Sequence, residues 1–327
     1  MTFRIKRFIA GIFTAATIFG ASAAGAQPLT IGFSTTDLSN LLVYIAKDRK
    51  MFEAEGLQTN FITFQNDNAA AQALMAGAVQ VNCASIFPVF ESHAVGRDFT
   101  AIWGLSNLPG YNWYSLPAFK TLDDLKGKGV VGVSAIGAMS HQLSAWALTQ
   151  VGVDPAKDVR FLALGGPMER VAALKAGQVS LIPATPPGTF ILEAEGYKPL
   201  VELKNIAPEF TYETYYTRRS TIKRDEAALR KMLTATIKAK RWAIDNRAEA
   251  TKILMANMGA PDDQVDIYRK SVDFALEYSP ESGEFPSKSV DVLIGFYTEK
   301  GRFKSAPEHS ALIDRTFIDY FKANPVK

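Results

Sequence analysis

Residues 69–85, AAAQALMAGAVQVNCAS, and residues 168–185, MERVAALKAGQVSLIPAT, share one pattern. Each is an alanine-rich helical run that ends in Leu-x-Ala-Gly, followed by a short apolar strand and then small polar residues. A single Ala-Gly helix stop is common. Its return at the equivalent place in a second strand–helix series implies two similarly built lobes.

Working outward, the first series opens with a strand at Leu29–Gly32 and the polar turn FSTTDLSN. A helix follows over Leu41–Phe52, with apolar residues at 41, 42, 45 and 52 and lysines opposite,. Gly56 stops it, a strand runs over Leu57–Phe64, and Asn66–Asn68 caps the helix of residues 69–76,. Val79–Cys83 is the third strand. The second series has strands at Val130–Val133, Val159–Leu164 and Val179–Pro183, with helices over about 140–151 and 167–176. Alternating strands and helices predict an α/β fold in which mostly parallel sheets carry helices on both faces. From Asp225 onward the texture turns helical, and this tail is expected to pack back on the first lobe. The expected division is 27–114 plus 217–327 for lobe 1 and 115–216 for lobe 2. Asn112–Pro117 and Tyr212–Arg218 are the expected crossings.

Residues 1–26 begin with Arg4, Lys6 and Arg7, continue through the uncharged apolar run Phe8–Phe19, and end in Ala24-Gly25-Ala26. That order is expected of a signal peptide cleaved after Ala26, which would send the chain to the periplasm. The chain has 36 basic and 33 acidic residues, three of the basic ones in this leader, so the remainder is near neutral. Nothing in that balance suggests a nucleic-acid surface. Cys83 is the only cysteine, so no internal disulfide is available, and it reads as a buried, inert thiol,. His93, His141 and His309 are too far apart for a close metal-ligand spacing,. No cofactor is implied.

In open parallel sheets ligands bind beyond the carboxyl ends of the strands, where helices present unpaired backbone amides. Thr35, Thr36 and Asn40 follow the first strand, Asn66 the second and Ser85 the third. In the second lobe, the loop Ser134–Ser140, with Gly137, and then Thr185 hold the corresponding exits. Each alone reads equally as a local cap. Their shared position makes them candidate donors to ligand oxygen. The loop lacks both the three-glycine dinucleotide spacing and the Gly-Lys-Ser/Thr of a phosphate loop. Trp103, Asn107, Tyr111, Trp113 and Tyr114 cluster near one crossing, and Tyr212, Tyr215 and Tyr216 near the other. Some of these are core, and others, with Tyr215 a candidate, could wall an organic ligand. Arg170 could pair with a carboxylate or sulfonate, or equally be a solvated or sheet-edge arginine.

The segments KDRKMFEAEGLQTNF, ALMAGAVQ, TLDDLKGKGVVGVSAIG, VGVDPAKDVRFLALGG and RVAALKAGQV carry a resemblance. The chain resembles the periplasmic solute-binding proteins of ABC importers for nitrate, sulfonate, taurine and related compounds, a group that shares a domain with thiamine-pyrimidine synthesis proteins. The resemblance implies a clamshell, type II-like binding protein with ligand between the lobes and a membrane permease as partner. It also points to Thr35, Thr36, Ser85, Thr185 and the Ser134–Ser140 loop for ligand oxygens. The expected protein is a monomeric, non-enzymatic receptor for a small organic acid or sulfonate, aromatic ones included. The alternatives are an enzyme of pyrimidine metabolism on the same fold, or a receptor that presents ligand to a sensor kinase.

Overall fold

The computed structural model describes residues 27–107 and 110–327. The expected leader and its cleavage after Ala26 lie outside the described residues. Among the described residues no helix is long and apolar enough to cross a membrane.

In the first lobe β1 (Leu29–Phe33), α1 (Leu41–Asp48), α2 (Met51–Ala54), β2 (Thr59–Thr63), α3 (Asp67–Met75), β3 (Val81–Ser85), α4 (Phe87–Ala94) and β4 (Phe99–Ser106) follow one another. The chain then crosses to β5 (Asn112–Ser115), β6 (Gly129–Val133), α5 (Met139–Gln150), β7 (Val159–Ala163), α6 (Pro167–Lys175), β8 (Leu181–Ala184), α7 (Gly188–Ala194) and β9 (Pro199–Glu202). It returns through β10 (Glu213–Arg218) to the helical tail, α8 (Arg219–Asp245), α9 (Arg247–Met258), α10 (Val265–Tyr278), α11 (Ser287–Glu299), α12 (His309–Leu312) and α13 (Thr316–Ala323).

These strands make two five-stranded mixed sheets, ordered β2-β1-β3-β10-β4 and β7-β6-β8-β5-β9. The two orders are equivalent position by position. In each sheet the fourth strand is the one that has just crossed from the other lobe, and it runs antiparallel to its neighbours. The sequence echo therefore marks corresponding elements, α3–β3 and α6–β8. Central strands such as β3 are buried on both faces, whereas the edge strands β2 and β7 are half exposed,.

Sheet membership moves the expected boundaries. Asn112–Ser115 pairs with β8 and β9, so it belongs to the second lobe before residue 115. Glu213–Arg218 pairs with β3 and β4, so the first lobe resumes before residue 217. The described parts of the crossings lie just outside these strands, at residues 106–107, 110–112 and 205–213. The expected single helix over 41–52 is two, because Lys50 takes a left-handed φ of 54°. The tail does pack on the first lobe: Lys231 Nζ donates to the Gly56 carbonyl at 3.1 Å, and Tyr215 and Thr236 share a 3.0 Å hydroxyl contact.

Candidate functional site

Helix N-termini and strand exits from both lobes converge where the crossings meet. Tyr111 and Tyr212, one on each crossing, pack edge to face with centroids 5.5 Å apart. Around them Ser34, Thr35, Asp37, Asn66, Asp67, Ser85 and Glu213 of the first lobe face Ser134, Met139, Gly166 and Arg170 of the second. They enclose a cavity of ≈ 30 Å³, room for about one or two waters. A second small cavity of ≈ 40 Å³ adjoins it at Asp37 and Tyr212, walled by Leu38, Leu42, Leu105, Phe274 and Thr185. On the other side a cleft of ≈ 900 Å³ runs past Thr35, Thr36, Ser134 and Met258.

The lobes are closed on one another. Asn68 Nδ2 donates to the Ile136 carbonyl at 3.1 Å, and Gln142 Nε2 donates to Glu91 at 3.1 Å. Phe190 meets Phe274 and Trp146 meets Phe296, both edge on. These contacts bridge the two lobes across the crevice.

The electrostatics of the cavity are lopsided. Arg170 lies in the first turn of α6 and is almost wholly buried. Its Nε and Nη1 donate to the carbonyls of Pro183 (3.1 Å) and Gly165 (2.9 Å) rather than to a carboxylate. Two of its five N–H donors are thus spent on orientation, which leaves the others for the cavity. Opposite stand three buried carboxyls. Burial raises Asp37 from its ordinary value, against the Ser39 N–H, which donates at 2.9 Å, and the Arg170 charge. Burial likewise raises Asp67, against the Ser85 hydroxyl at 2.9 Å, Ser34 and the Met139 N–H at the start of α5. Glu213 is pushed well above the usual range by burial and then by the neighbouring Asp67 and Asp37,. Its Oε2 has no hydrogen-bond partner.

The residues singled out from sequence fall into two sets. Thr35, Asn66, Ser85 and Ser134 line the polar cavity, Thr185 lines the apolar one, and Thr36 the outer cleft. Asn66 also caps α3 by accepting the Ala69 N–H. Thr185 Oγ1 has no hydrogen-bond partner, although it is near enough to Asp37 to hold that carboxyl down slightly.

The others are drawn into the scaffold. Asn40 is buried beneath the crevice, donating to the Thr35 carbonyl and accepting from Cys83. Asn107 is tied to the Glu284 carbonyl in the tail. Gly137 takes a left-handed φ of 82° and lines an outer pocket with Asn68. Ser140 is a loop clasp: its Oγ accepts the Ser134 N–H at 2.9 Å and meets the Ser134 hydroxyl at 2.8 Å. Tyr215 corrects the expectation of an aromatic wall, since its fully buried ring faces Thr236 of α8. Trp113 is likewise buried, donating to Ser144 inside the second lobe. The aromatics that do reach the cavity are Tyr111 and Tyr212.

The residues missed were the acids. Asp37 and Asp67 were absorbed into the capping segments TTDLSN and NDN. Glu213 did have a signal, a lone carboxylate in the buried aromatic strand ETYYTR.

A family model described as NMT1/THI5 like matches residues 39–250. No curated protein matches the chain. Solved structures do. One from Bordetella bronchiseptica RB50 is 20% identical with a TM-score of 0.80, covering 91% of this chain and 98% of that one. The alkanesulfonate-binding protein SsuA from Xanthomonas axonopodis pv. citri, bound to MOPS, is 19% identical with a TM-score of 0.69, covering 89% and 99%. The periplasmic nitrate-binding protein NrtA from Synechocystis PCC 6803 is 13% identical with a TM-score of 0.72, covering 92% and 89%. Two five-stranded mixed sheets closed on a shared crevice are the periplasmic binding protein fold, and the chain belongs to the NMT1/THI5-like family.

Proposed function

We propose that the chain is the periplasmic solute-binding receptor of an ABC importer. It captures a small organic solute between its lobes and delivers it to the membrane permease, acting as a monomer without chemistry of its own. The observation that carries this reading is Arg170. A buried guanidinium is held by two backbone carbonyls and lines a cavity built from both lobes. Such a group offers an acid of the solute, a carboxylate or sulfonate, charge-assisted hydrogen bonds. The N-termini of α5 and α6 face the same crevice and favour the same oxygen atoms,. The adjoining apolar cavity suits an organic body rather than a bare inorganic ion,.

The enzymatic alternative resembles proteins with a cysteine-rich segment, whereas Cys83 is the single cysteine of this sequence and is poorly suited as a nucleophile. It is buried, its S–H is directed at Asn40 at 3.3 Å, and burial pushes its thiol well up,. Native mass spectrometry of protein from a periplasmic extract tests the reading. A carried solute released unchanged in mass after prolonged incubation supports a receptor; a chemically altered solute argues for an enzyme.

A further inference from the structure

We propose that the solute also carries a basic nitrogen, an ammonium or amidinium group, which docks on Glu213 beside Asp67 and Asp37. This rests on the receptor reading above and names the chemical class that the same cavity accepts.

Glu213 opens β10 directly opposite Ser85 in the antiparallel register. Its side chain is 4% exposed and lines the cavity; the Ser39 side chain is the one neighbour that favours its charged form, and its Oε2 lacks a hydrogen-bond partner. Buried carboxylate oxygens without a donor are costly, and the missing donor is what an N–H group of a ligand supplies. The balance of ionisable groups points the same way. Arg170 is the only cationic side chain among the residues lining the cavity, against Asp37, Asp67 and Glu213. Its charge is felt by Asp37. The charged groups felt by Glu213 are Asp67 and Asp37, both of its own sign. A nitrate or a plain alkanesulfonate would bring a further negative charge beside them. A solute with a basic nitrogen offsets it instead. The division between lobes gives closure its logic. The carboxyls belong to the first lobe and Arg170 to the second, so a solute with a basic nitrogen at one end and an acid at the other bridges them.

The test uses matched probes on the mature protein by calorimetric titration: para-aminomethylbenzoate against para-methylbenzoate, gamma-aminobutyrate against valerate, and sodium nitrate. The amine-bearing member of a binding pair should bind about tenfold tighter or more, and Glu213→Gln should cut that advantage to less than about threefold. Glu213→Asp, which keeps the charge, should preserve the direction of the preference. Affinity for para-aminomethylbenzoate should also rise with pH, because Glu213 must give up a proton to receive a cation. The titratable and charged groups facing it, Asp37, Asp67, Cys83, Tyr111, Tyr212, Tyr216 and Arg170, are common to every probe. If valerate, para-methylbenzoate or nitrate binds as tightly as the amines, the nitrogen proposal falls and the receptor reading stands. If no probe binds, the composition of the carried solute decides, and one without a basic nitrogen overturns the proposal. A protein that neither binds a probe nor carries a solute overturns the receptor reading itself, and the proposal with it.

Discussion

The Ser85 hydroxyl donates a 2.9 Å hydrogen bond to the buried carboxylate of Asp67, joining the end of β3 to the first turn of α3 at the floor of the crevice. The Asp67 carboxyl is already raised by burial, and Ser85 is the strongest influence holding it down. Ser85→Ala should therefore destabilise the protein by about 1–3 kcal/mol. The loss should be larger at about pH 8, where the carboxylate must be ionised, than at about pH 5. Urea unfolding at the two pH values measures it. An equal loss at both would mean that the hydroxyl matters only for packing.

Glu213 sets much of the pH dependence of the protein's stability. Its folded-state value lies well above the ordinary one, so the stabilising contribution is fully present below the unfolded value of about 4.3 and is lost as pH rises through the folded value,. Asp37 and Asp67 act in the same direction. The melting temperature should thus fall between about pH 5 and about pH 8, and Glu213→Gln, which cannot ionise, should flatten that fall. At the upper end the variant should be the more stable by about 1–3 kcal/mol. A variant that is less stable throughout this range would count against an unpaired carboxylate at this position.

Gly283 shows how the tail is fastened. Its φ is +67°, and a Cβ there would stand 2.1 Å from the Trp103 ring on β4. Gly77 has a similar φ of +77° with nothing within 4 Å. Gly77→Ala should cost only the backbone strain, about 1–2 kcal/mol. Gly283→Ala adds overpacking of a further 1–3 kcal/mol or so. Denaturant midpoints of the two variants separate the terms; equal losses would mean that Trp103 moves aside freely.

Much of this architecture was legible in the sequence, because both lobes repeat the same signals at the same offsets. Leu-x-Ala-Gly ends α3 and α6, and in each case the strand that follows lies at the centre of its sheet. The crossings were read several residues late. Asn112–Ser115 and Glu213–Arg218 look extended in sequence, but only pairing with β8 or β3 assigns such a strand to a sheet, and pairing is non-local. The site was half legible. Position at a strand exit identified Ser85 and Thr35, yet the same rule swept in Ser140, whose hydroxyl is spent on Ser134. The acids stayed hidden because Asp and Asn are ordinary cap residues, and burial, which gives Asp37 and Asp67 their character, arises only when the second lobe covers them.

The serine pair offers a test of that distinction. Ser140→Ala removes the acceptor of the Ser134 N–H, so the loop before α5 should loosen at a cost of about 1–2 kcal/mol. Ser134→Ala leaves that N–H bond in place and removes the Ser134 hydroxyl with its 2.8 Å contact to Ser140, a smaller loss to the loop. Amide hydrogen exchange across residues 134–140 should therefore quicken more in the first variant, which loses both contacts, than in the second, which loses one. The reverse order would mean that Ser134 organises the loop.

Gln142 ties the second lobe to the first. Its side chain is largely buried on α5 and donates both to Glu91 of the first lobe and to the Gly137 carbonyl. The first bond exists only while the lobes are closed. Gln142→Ala should cost the closed state about 0.5–1.5 kcal/mol, raising the ratio of open to closed molecules by up to about tenfold. A solute cannot enter a cavity of ≈ 30 Å³, so it must wait for opening, and the variant should associate faster while releasing its solute faster still. Small-angle scattering of the unliganded variant should give a larger radius of gyration than the wild type, and saturating solute should bring the two together. If the radius of gyration and the association rate both equal those of the wild type, closure rests on the aromatic contacts Phe190–Phe274 and Trp146–Phe296 instead. Phe190→Ala then becomes the substitution that opens the crevice.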